Sequence, residues 1–199
     1  MKVFVGISGA SGAIYGAGLL RALLAAGSEV SVCISDGAIE VIRAEDGIGA
    51  GSRGEVVSAF FQRHSVTLDP AALIDTGDMA SAFASGSALA GAAVVCPCSM
   101  STLGSIAAGI TRNLIHRVAD VMLKEGRPLV LVPRETPLSA IHLENMLRVK
   151  RAGAAIVPAM PGFYQRPESI DDLVDFNSGK VLDVLGIRHE LFNRWDGPS

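Results

Sequence analysis

Uninterrupted apolar runs alternate along this chain with segments that are apolar at every third or fourth position. The apolar runs predict buried strands, and the periodic segments predict helices. The beginning of the chain has a strand over Val3–Ile7, a glycine-rich turn, a helix over Ala13–Ala26 and a strand over Glu29–Ser35. This order is a βαβ unit, which indicates that its two strands are parallel.

The same alternation continues through most of the chain. Residues 47–54, GIGAGSRG, are too rich in glycine for regular structure and predict a loop. Further helices are predicted over Gly37–Ala44, over Val56–His64, from about Ser101, and over Arg112–Lys124, Leu138–Arg151 and Ile170–Leu185. Further strands are predicted over Val66–Leu68, Ala92–Cys96, Leu129–Val132 and Ala154–Val157.

Strands such as Leu129–Val132 are apolar at every position. Such strands are buried on both faces, as in a parallel sheet that is covered by helices on both sides. The sequence therefore predicts one α/β domain with a doubly wound, mostly parallel sheet over residues 1–187. Residues 188–199 carry Leu191, Phe192 and Trp195 beyond the last helix, and we expect this arm to dock on a neighbouring subunit.

Ligands of doubly wound sheets bind beyond the carboxyl ends of the strands. Four of the predicted strands end in loops that open at Ser8, Ser35, Pro97 and Pro133. We expect these four loops to converge on one binding site.

Composition argues against several classes of function. The chain has 199 residues, of which 49% are hydrophobic, which suits one compact domain. Its net charge of −3, without a basic cluster, argues against a nucleic acid or membrane partner. The apolar start is too short for a signal peptide, and the spacings of cysteine and histidine match neither a metal site nor a redox pair. We expect a cytoplasmic protein that holds no metal.

The turn after the first strand, Gly6–Gly12, has the spacing GxxGxxG. Its glycines let backbone N–H groups approach an anion at the start of the following helix, so it can bind a phosphate. The alternative is a simple turn in which Ser11 caps the helix. The spacing differs from the dinucleotide fingerprint and from the Walker motif. Asp36 still leaves a dehydrogenase open, although the sequence has no Tyr-x-x-x-Lys pair.

Five long segments, in order along nearly the whole chain, resemble the UbiX family of flavin prenyltransferases. They are SGASGAIYG (8–16), CPCSMSTL (96–103), NLIHRVADVMLKEGRPLVLVPRETPL (113–138), IHLENM (141–146) and PGFYQRPESIDDLVDF (161–176). The resemblance implies a Rossmann-like flavoprotein that binds reduced FMN and joins a dimethylallyl group to N5 and C6 of its isoalloxazine ring without a metal. It further implies dimethylallyl monophosphate or pyrophosphate as donor, a homododecamer with sites shared between subunits, and a UbiD-type decarboxylase that receives the prenylated FMN.

The resemblance also implies three sets of site residues. The flavin set is Gly9, Ala10, Ser11, Ser35, Ser99, Met100, Ser101, Thr102 and Arg134. The set for the donor phosphate is Arg117, Lys124, Tyr164 and Lys180, and the catalytic set is Ser11, Glu45 and Glu135. These residue types suit their assigned roles. Hydroxyls and helix N-termini bind phosphate groups, and cationic side chains stabilise the negative charge of a leaving phosphate.

Each set has a structural alternative. Ser99–Thr102 can simply cap a helix, and Arg117 and Lys124 can form a solvated basic face. Glu135 can form a surface ion pair with its neighbour in the sequence, Arg134.

The sequence departs from the family pattern at two places. Lys180 stands where relatives often have an arginine, and Asp78-Met79 stands where relatives often have an aromatic residue before the Ser-Gly-Ser segment. An allyl cation requires walls that exclude water, and we expect Met100, Phe163 and Trp195 to supply them.

Two other functions stay open at this point. A flavin-dependent cysteine decarboxylase would use His142 and Cys98, although a histidine on a helix is more often a hydrogen-bonded structural residue. A non-catalytic carrier would bind FMN without turnover.

Overall fold

A computed structural model describes residues 1–86 and 90–194. Its strands are β1 (Lys2–Ile7), β2 (Glu29–Ile34), β3 (Leu73–Ile74), β4 (Ala92–Cys98), β5 (Leu129–Pro133) and β6 (Ala155–Ile156). Its α-helices are α1 (Ala13–Ala25), α2 (Asp36–Asp46), α3 (Arg53–Arg63), α4 (Met100–Ala107), α5 (Leu114–Lys124), α6 (Ala140–Arg151) and α7 (Ile170–Leu185). The described strands form one sheet in the order β3-β2-β1-β4-β5-β6, and each neighbouring pair is parallel. The predicted doubly wound α/β architecture is confirmed.

The sheet separates two apolar cores. One core lies between the sheet and α1, α2, α3 and α7, and the other lies between the sheet and α4, α5 and α6. Both cores contain residues of β1, β4 and β5, because these central strands are apolar at alternate positions on both faces. The strand order reverses between β1 and β4, and that point is where doubly wound sheets bind ligands.

Two local predictions are wrong. Val66–Leu68 is not a strand, because the N–H of Val66 donates to the carbonyl of Phe61 at 2.8 Å and so closes the end of α3. The third strand is instead the short edge strand β3. The loop predicted over residues 47–54 ends early, since Ser52 and Glu55 form a capping box that starts α3 at Arg53.

The C-terminal segment packs on its own chain as far as the structure describes it. The imidazole of His189 is buried and donates to Asp183 of α7, while the ring centroid of Phe192 lies 5.2 Å from that of Phe176. The amide of Gln165 also donates to the carbonyl of Asn193 at 2.7 Å. Docking of this arm on a neighbouring subunit stays a prediction. The rest of that arm, with Trp195, lies outside the described residues.

None of the helices in residues 1–86 and 90–194 combines the length and apolar character needed to cross a bilayer.

Candidate functional site

Ser8 joins the loop after β1 to the loop after β4. Its Oγ donates to the carbonyl of Pro97 at 3.0 Å and accepts from the N–H of Ser99 at 2.8 Å. The N–H of Ser35 donates to the carbonyl of Ile7 at 2.9 Å, which brings the end of β2 to the same place. Three of the four predicted loops thus converge at the carboxyl edge of the sheet.

The fourth loop joins them through Arg134. The backbone N–H of Arg134 donates to the carbonyl of Cys98 at 3.3 Å, so the chain after β5 lies beside the end of β4. The Nε atom of Arg134 is buried and has no hydrogen-bond partner within the described part of the chain. A buried guanidinium donor without an acceptor indicates a place for an acceptor atom of a ligand.

The glycines of the first loop allow a close approach of two backbones. A Cβ atom built on Gly9 would lie 2.9 Å from the carbonyl carbon of Gly37, in the first turn of α2. Only glycine permits that contact without a shift of the loop. Ser11 is exposed at the tip of this loop, and Ala10 is buried beneath it.

Three helices, α1, α2 and α4, begin at this edge of the sheet. The hydroxyl of Ser35 accepts from the N–H of Ala38 at 3.1 Å and caps α2, and Ser99 caps α4 through the N–H of Thr102 at 3.2 Å. The helix-capping role that the sequence allowed for Ser99–Thr102 is therefore present. These caps do not exclude a ligand, because each helix start has further N–H groups that point outward and favour an anion.

The start of α1 differs from the starts of α2 and α4. Its N-cap is Gly12, with φ 94°, and Ser11 does not cap it. Instead the Glu45 carboxylate, from the last turn of α2, accepts from the N–H of Gly12 at 2.8 and 3.0 Å and from that of Ala13 at 3.1 Å. An acidic group from α2 thus occupies the helix start that the sequence assigns to a phosphate.

Tyr15 is a residue of this edge that sequence reasoning did not assign. Its ring packs against Gly12, where an added Cβ would lie 2.9 Å from Cδ2. Burial raises the pKa of the phenol, the thiol of Cys96 adds to the increase, and the positive charge of Arg134 opposes it. The only signal in the sequence was its position one helical turn after the glycine loop.

Glu135 lies on the rigid turn after β5 and is exposed. Its Oε1 accepts from the N–H of Thr136 at 3.0 Å. Among the ion pairs of residues 1–86 and 90–194, there is none between Glu135 and Arg134. The carboxylate is therefore free of the surface ion pair that its sequence neighbour allowed.

The four residues predicted for the donor phosphate do not meet within one chain. Arg117 and Lys124 lie on α5, where Arg117 donates to the carbonyl of Ala84 at 2.9 Å and pairs with Asp120 at 2.7 Å, and Lys124 pairs with Glu125. That layer is on one face of the sheet.

Tyr164 and Lys180 belong to the α7 layer on the opposite face. The Lys180 ammonium lies 4.9 Å from the ring centroid of Phe192 and 5.4 Å from that of Phe176. The Tyr164 ring meets Phe176 edge-on at 5.7 Å. The sheet therefore separates these two residues from Arg117 and Lys124.

The remaining predicted residues have mixed surroundings. Met100 is half-buried, Ser101 is exposed, and Phe163 is 71% exposed. Asp78 accepts from the N–H of Ala80 at 3.2 Å in a turn, and the neighbouring Met79 is exposed. Trp195, the third expected wall, is outside the described residues.

The residues that favoured a cysteine decarboxylase have structural roles. His142 forms a capping box with Ser139 at the start of α6. Burial raises the pKa of the Cys98 thiol to about 12, which keeps it protonated. In the described ranges no three His, Cys, Asp or Glu side chains are grouped to hold a metal ion.

Comparison with known proteins extends over the whole chain. Residues 1–184 match the family model described as Flavoprotein. Flavin prenyltransferase UbiX of Methanothermobacter thermautotrophicus is 49% identical over 195 residues, which cover 98% of this chain and 95% of that protein.

Solved structures agree with this result. The crystal structure of AnUbiX (PadA1) in complex with FMN and dimethylallyl pyrophosphate has a TM-score of 0.86 and 41% identity, covering 100% of this chain and 98% of that one. The dodecameric FMN-dependent Ubix-like decarboxylase from Escherichia coli O157:H7 has a TM-score of 0.85 and 42% identity, covering 99% and 100%. The similarity therefore includes both sequence and fold.

Proposed function

The chain belongs to the UbiX family of flavin prenyltransferases, and from that membership we propose that it joins a dimethylallyl group from dimethylallyl phosphate to reduced FMN. The observation that supports this most directly is the carboxyl edge of the sheet. Loops after β1, β2, β4 and β5 meet there, with three helix starts and the unpaired buried Nε of Arg134. These hydrogen-bond donors suit a ligand that carries both phosphate and carbonyl oxygens, as FMN does.

We assign the flavin to Gly9–Ser11, Ser35, Ser99–Thr102 and Arg134. The α1 N–H groups of Gly12 and Ala13 already bind Glu45, so the FMN phosphate is assigned to the starts of α2 and α4. The fork of Arg134 suits a flavin carbonyl or ring nitrogen, because its buried Nε needs an acceptor. No metal takes part in this assignment.

The donor phosphate requires two subunits in this proposal. Arg117 and Lys124 of one subunit would meet Tyr164 and Lys180 of the partner subunit, because the sheet keeps the two pairs apart within a chain. Large exposed apolar side chains support such an assembly. They are Ile141, Leu143 and Leu147 on α6 together with Met160, Phe163 and Ile170. Exposed apolar side chains of this number are typical of surfaces that bind another subunit, and a homododecamer is the assembly we propose.

When bound, reduced FMN supplies N5 and C6, and each of these atoms would exchange a proton for a bond to a prenyl carbon. The phosphate would leave with the electron pair of its C–O bond. Of the two protons released, one would go to the prenyl double bond and the other to the phosphate. The cations of the phosphate set stabilise the charge on the leaving group. Glu135, Ser11 and Glu45 lie at the flavin edge in this assignment and can hold or move the protons. Met100 and Phe163 would supply apolar walls against water.

The product fits a place in a two-enzyme scheme. We propose that prenylated FMN passes to a UbiD-type decarboxylase and that the transfer takes place in the cytoplasm. Family membership supports the recipient.

The test is a mass measurement. The purified protein is mixed under anaerobic conditions with reduced FMN and either dimethylallyl phosphate or dimethylallyl pyrophosphate, and the flavin is weighed. We expect the added mass of one five-carbon unit with at least one donor. Tight FMN binding without that mass gain would indicate a flavin carrier, and a nicotinamide in place of the flavin would indicate a dehydrogenase.

A further inference from the structure

The hydroxyl of Ser8 is almost completely buried, with 1% of the residue exposed. It donates to the carbonyl of Pro97 at 3.0 Å and accepts from the N–H of Ser99 at 2.8 Å. The backbone N–H of Ser8 also donates to the carbonyl of Pro97, at 3.2 Å. One residue therefore makes three hydrogen bonds across the space between β1 and β4.

The two bonds of the side chain connect β1 and β4 where the backbone ladder is interrupted. The parallel register of β1 and β4 extends from Val3 opposite Ala92 to Gly6 opposite Val95. Beyond it, Pro97 has no N–H to donate, so the ladder loses a rung at the point where the two loops diverge. The side chain of Ser8 supplies that connection instead.

The position of this connection matters for the site. Gly9, Ala10 and Ser11 follow Ser8 directly, and Ser99, whose N–H the hydroxyl binds, is the N-cap of α4. Both segments belong to the flavin set assigned above. The hydroxyl of Ser8, together with its backbone N–H, therefore holds these two segments at a fixed separation.

We propose that Ser8 is a positioning residue for prenyl transfer, which holds the loop of Gly9–Ser11 at the distance from Ser99–Thr102 that the flavin requires. The inference rests on the proposed function for its reaction, but its binding part needs only FMN. Ser8 itself touches no reacting atom in this role. It acts through the loop that follows it and through Ser99.

The experiment compares three variants. Ser8→Ala leaves the half-buried N–H of Ser99 without its acceptor, and we expect FMN to bind about ten-fold more weakly. Ser8→Thr keeps the hydroxyl, and we expect it to bind FMN within about two-fold of the unchanged protein. Ser178→Ala is the matched control, because its hydroxyl is equally buried but has no hydrogen-bond partner within the described residues. We expect that control to leave FMN affinity unchanged.

Two measurements separate positioning from simple loss of stability. FMN affinity is measured by quenching of flavin fluorescence, and the single-turnover rate of prenyl transfer is measured at saturating FMN, well below the melting temperature. A purely structural role predicts a lower melting temperature of Ser8→Ala with an unchanged rate at saturation. Positioning predicts a rate that is also reduced, by about ten-fold, and restored in Ser8→Thr.

Unchanged affinity and rate in Ser8→Ala would overturn the inference, as would equal losses in Ser8→Thr or Ser178→Ala. If Ser8→Ala does not fold, Ser8→Cys decides by the same criteria, since a thiol is a weaker acceptor of similar shape. If the unchanged protein binds FMN but does not prenylate it, the proposed function fails while the affinity comparison still tests Ser8.

Discussion

The carboxylate of Glu45 accepts hydrogen bonds from the backbone N–H of Gly12 through both of its oxygens, at 2.8 and 3.0 Å. The two residues belong to different helices, since Glu45 is in the last turn of α2 and Gly12 is the N-cap of α1. A carboxylate at the C-terminal end of a helix opposes the helix dipole, and the start of α1 compensates it. The next residue, Asp46, accepts a hydrogen bond from His64, whose Nε2 lies 2.9 Å from Oδ1.

Removal of this contact should affect both stability and catalysis. We expect Glu45→Ala to lower the free energy of unfolding by about 1 kcal/mol, as the loss of a helix cap does, and to slow prenyl transfer at least about ten-fold. Glu40→Ala is the control on the same helix, because Glu40 is exposed and has only a long contact of 3.9 Å with Arg43. Equal urea-unfolding curves and equal rates for the two variants would contradict this role of Glu45.

The contact between Gly9 and Gly37 predicts a specific sensitivity to a methyl group. In Gly9→Ala the new Cβ would lie 2.9 Å from the Gly37 carbonyl carbon, so the loop must move away from α2. We expect a cost of about 1–3 kcal/mol, seen either in unfolding or in weaker FMN binding. Gly49→Ala is the matched control, because nothing lies within 4 Å of the added atom. FMN titration and thermal melting of both variants measure the difference, and similar values for the two would refute the proposed crowding.

Glu135 should act in turnover and not in flavin binding. Glu135→Gln keeps an oxygen that accepts from the N–H of Thr136, so the turn after β5 should retain its shape. We expect the rate of prenyl transfer to fall about a hundred-fold while FMN affinity stays within about two-fold. Single-turnover mass spectrometry and FMN titration check the two parts. Loss of FMN in this variant would show that Glu135 binds the flavin and does not move protons.

The separation of the phosphate set by the sheet predicts complementation between subunits. Arg117→Ala and Lys180→Ala should each be inactive as homogeneous assemblies. When the two variants are coexpressed in equal amounts, about a quarter of the shared sites should carry both intact residues by random assembly, and activity should return to about that fraction. Differently tagged chains allow purification of the mixed assemblies. If the mixed assemblies have no activity, the site belongs to one chain.

The buried thiols predict how stability depends on alkaline pH. Burial raises the pKa of Cys33 and of Cys98 to about 12, and it raises that of Cys96 as well, whereas an unfolded thiol ionises near about 8.5. Below the unfolded value both states keep their protons and stability does not change. Above it only the folded state keeps them, so the free energy of unfolding should fall by about 1.4 kcal/mol per pH unit for each thiol until the pH approaches 12.

Urea unfolding at about pH 8, 9 and 10 measures this slope. Cys98→Ala removes one thiol, so the slope of the variant should be smaller by about one thiol's share. Identical slopes in the two proteins would contradict the assignment of the shifted pKa to burial of Cys98.

Local sequence signals predicted most of the fold. The apolar runs of β1, β4 and β5 are buried on both faces, as their composition indicated, and α7 spans the residues that its pattern predicted. The failures occurred where tertiary contacts decided the outcome. Val66 is apolar because it packs against α3 and the core, and an apolar residue at a helix end looks the same in a sequence as one in a strand.

Only part of the candidate site could be predicted from the sequence. The glycine loop, the hydroxyls at Ser35 and Ser99 and the position of Arg134 all follow strand ends, so their place at one edge of the sheet could be anticipated. The bond between Glu45 and Gly12, the burial of Tyr15 and the three bonds of Ser8 could not. The bonds of Glu45 and Ser8 join residues that are distant along the chain, and the burial of Tyr15 depends on how α1 packs.

By itself the sequence determined the class of fold, the edge of the sheet at which four loops converge and the family to which the chain belongs, because these follow from periodicity and from short motifs whose residues are adjacent. Only the tertiary structure decided that Glu45 caps α1 and that Ser8 bridges β1 and β4. It also decided that the sheet separates Arg117 and Lys124 from Tyr164 and Lys180. Hydrogen bonds and layers of this kind depend on distances of a few ångströms between distant segments, and those distances exist only after the helices have packed on the sheet.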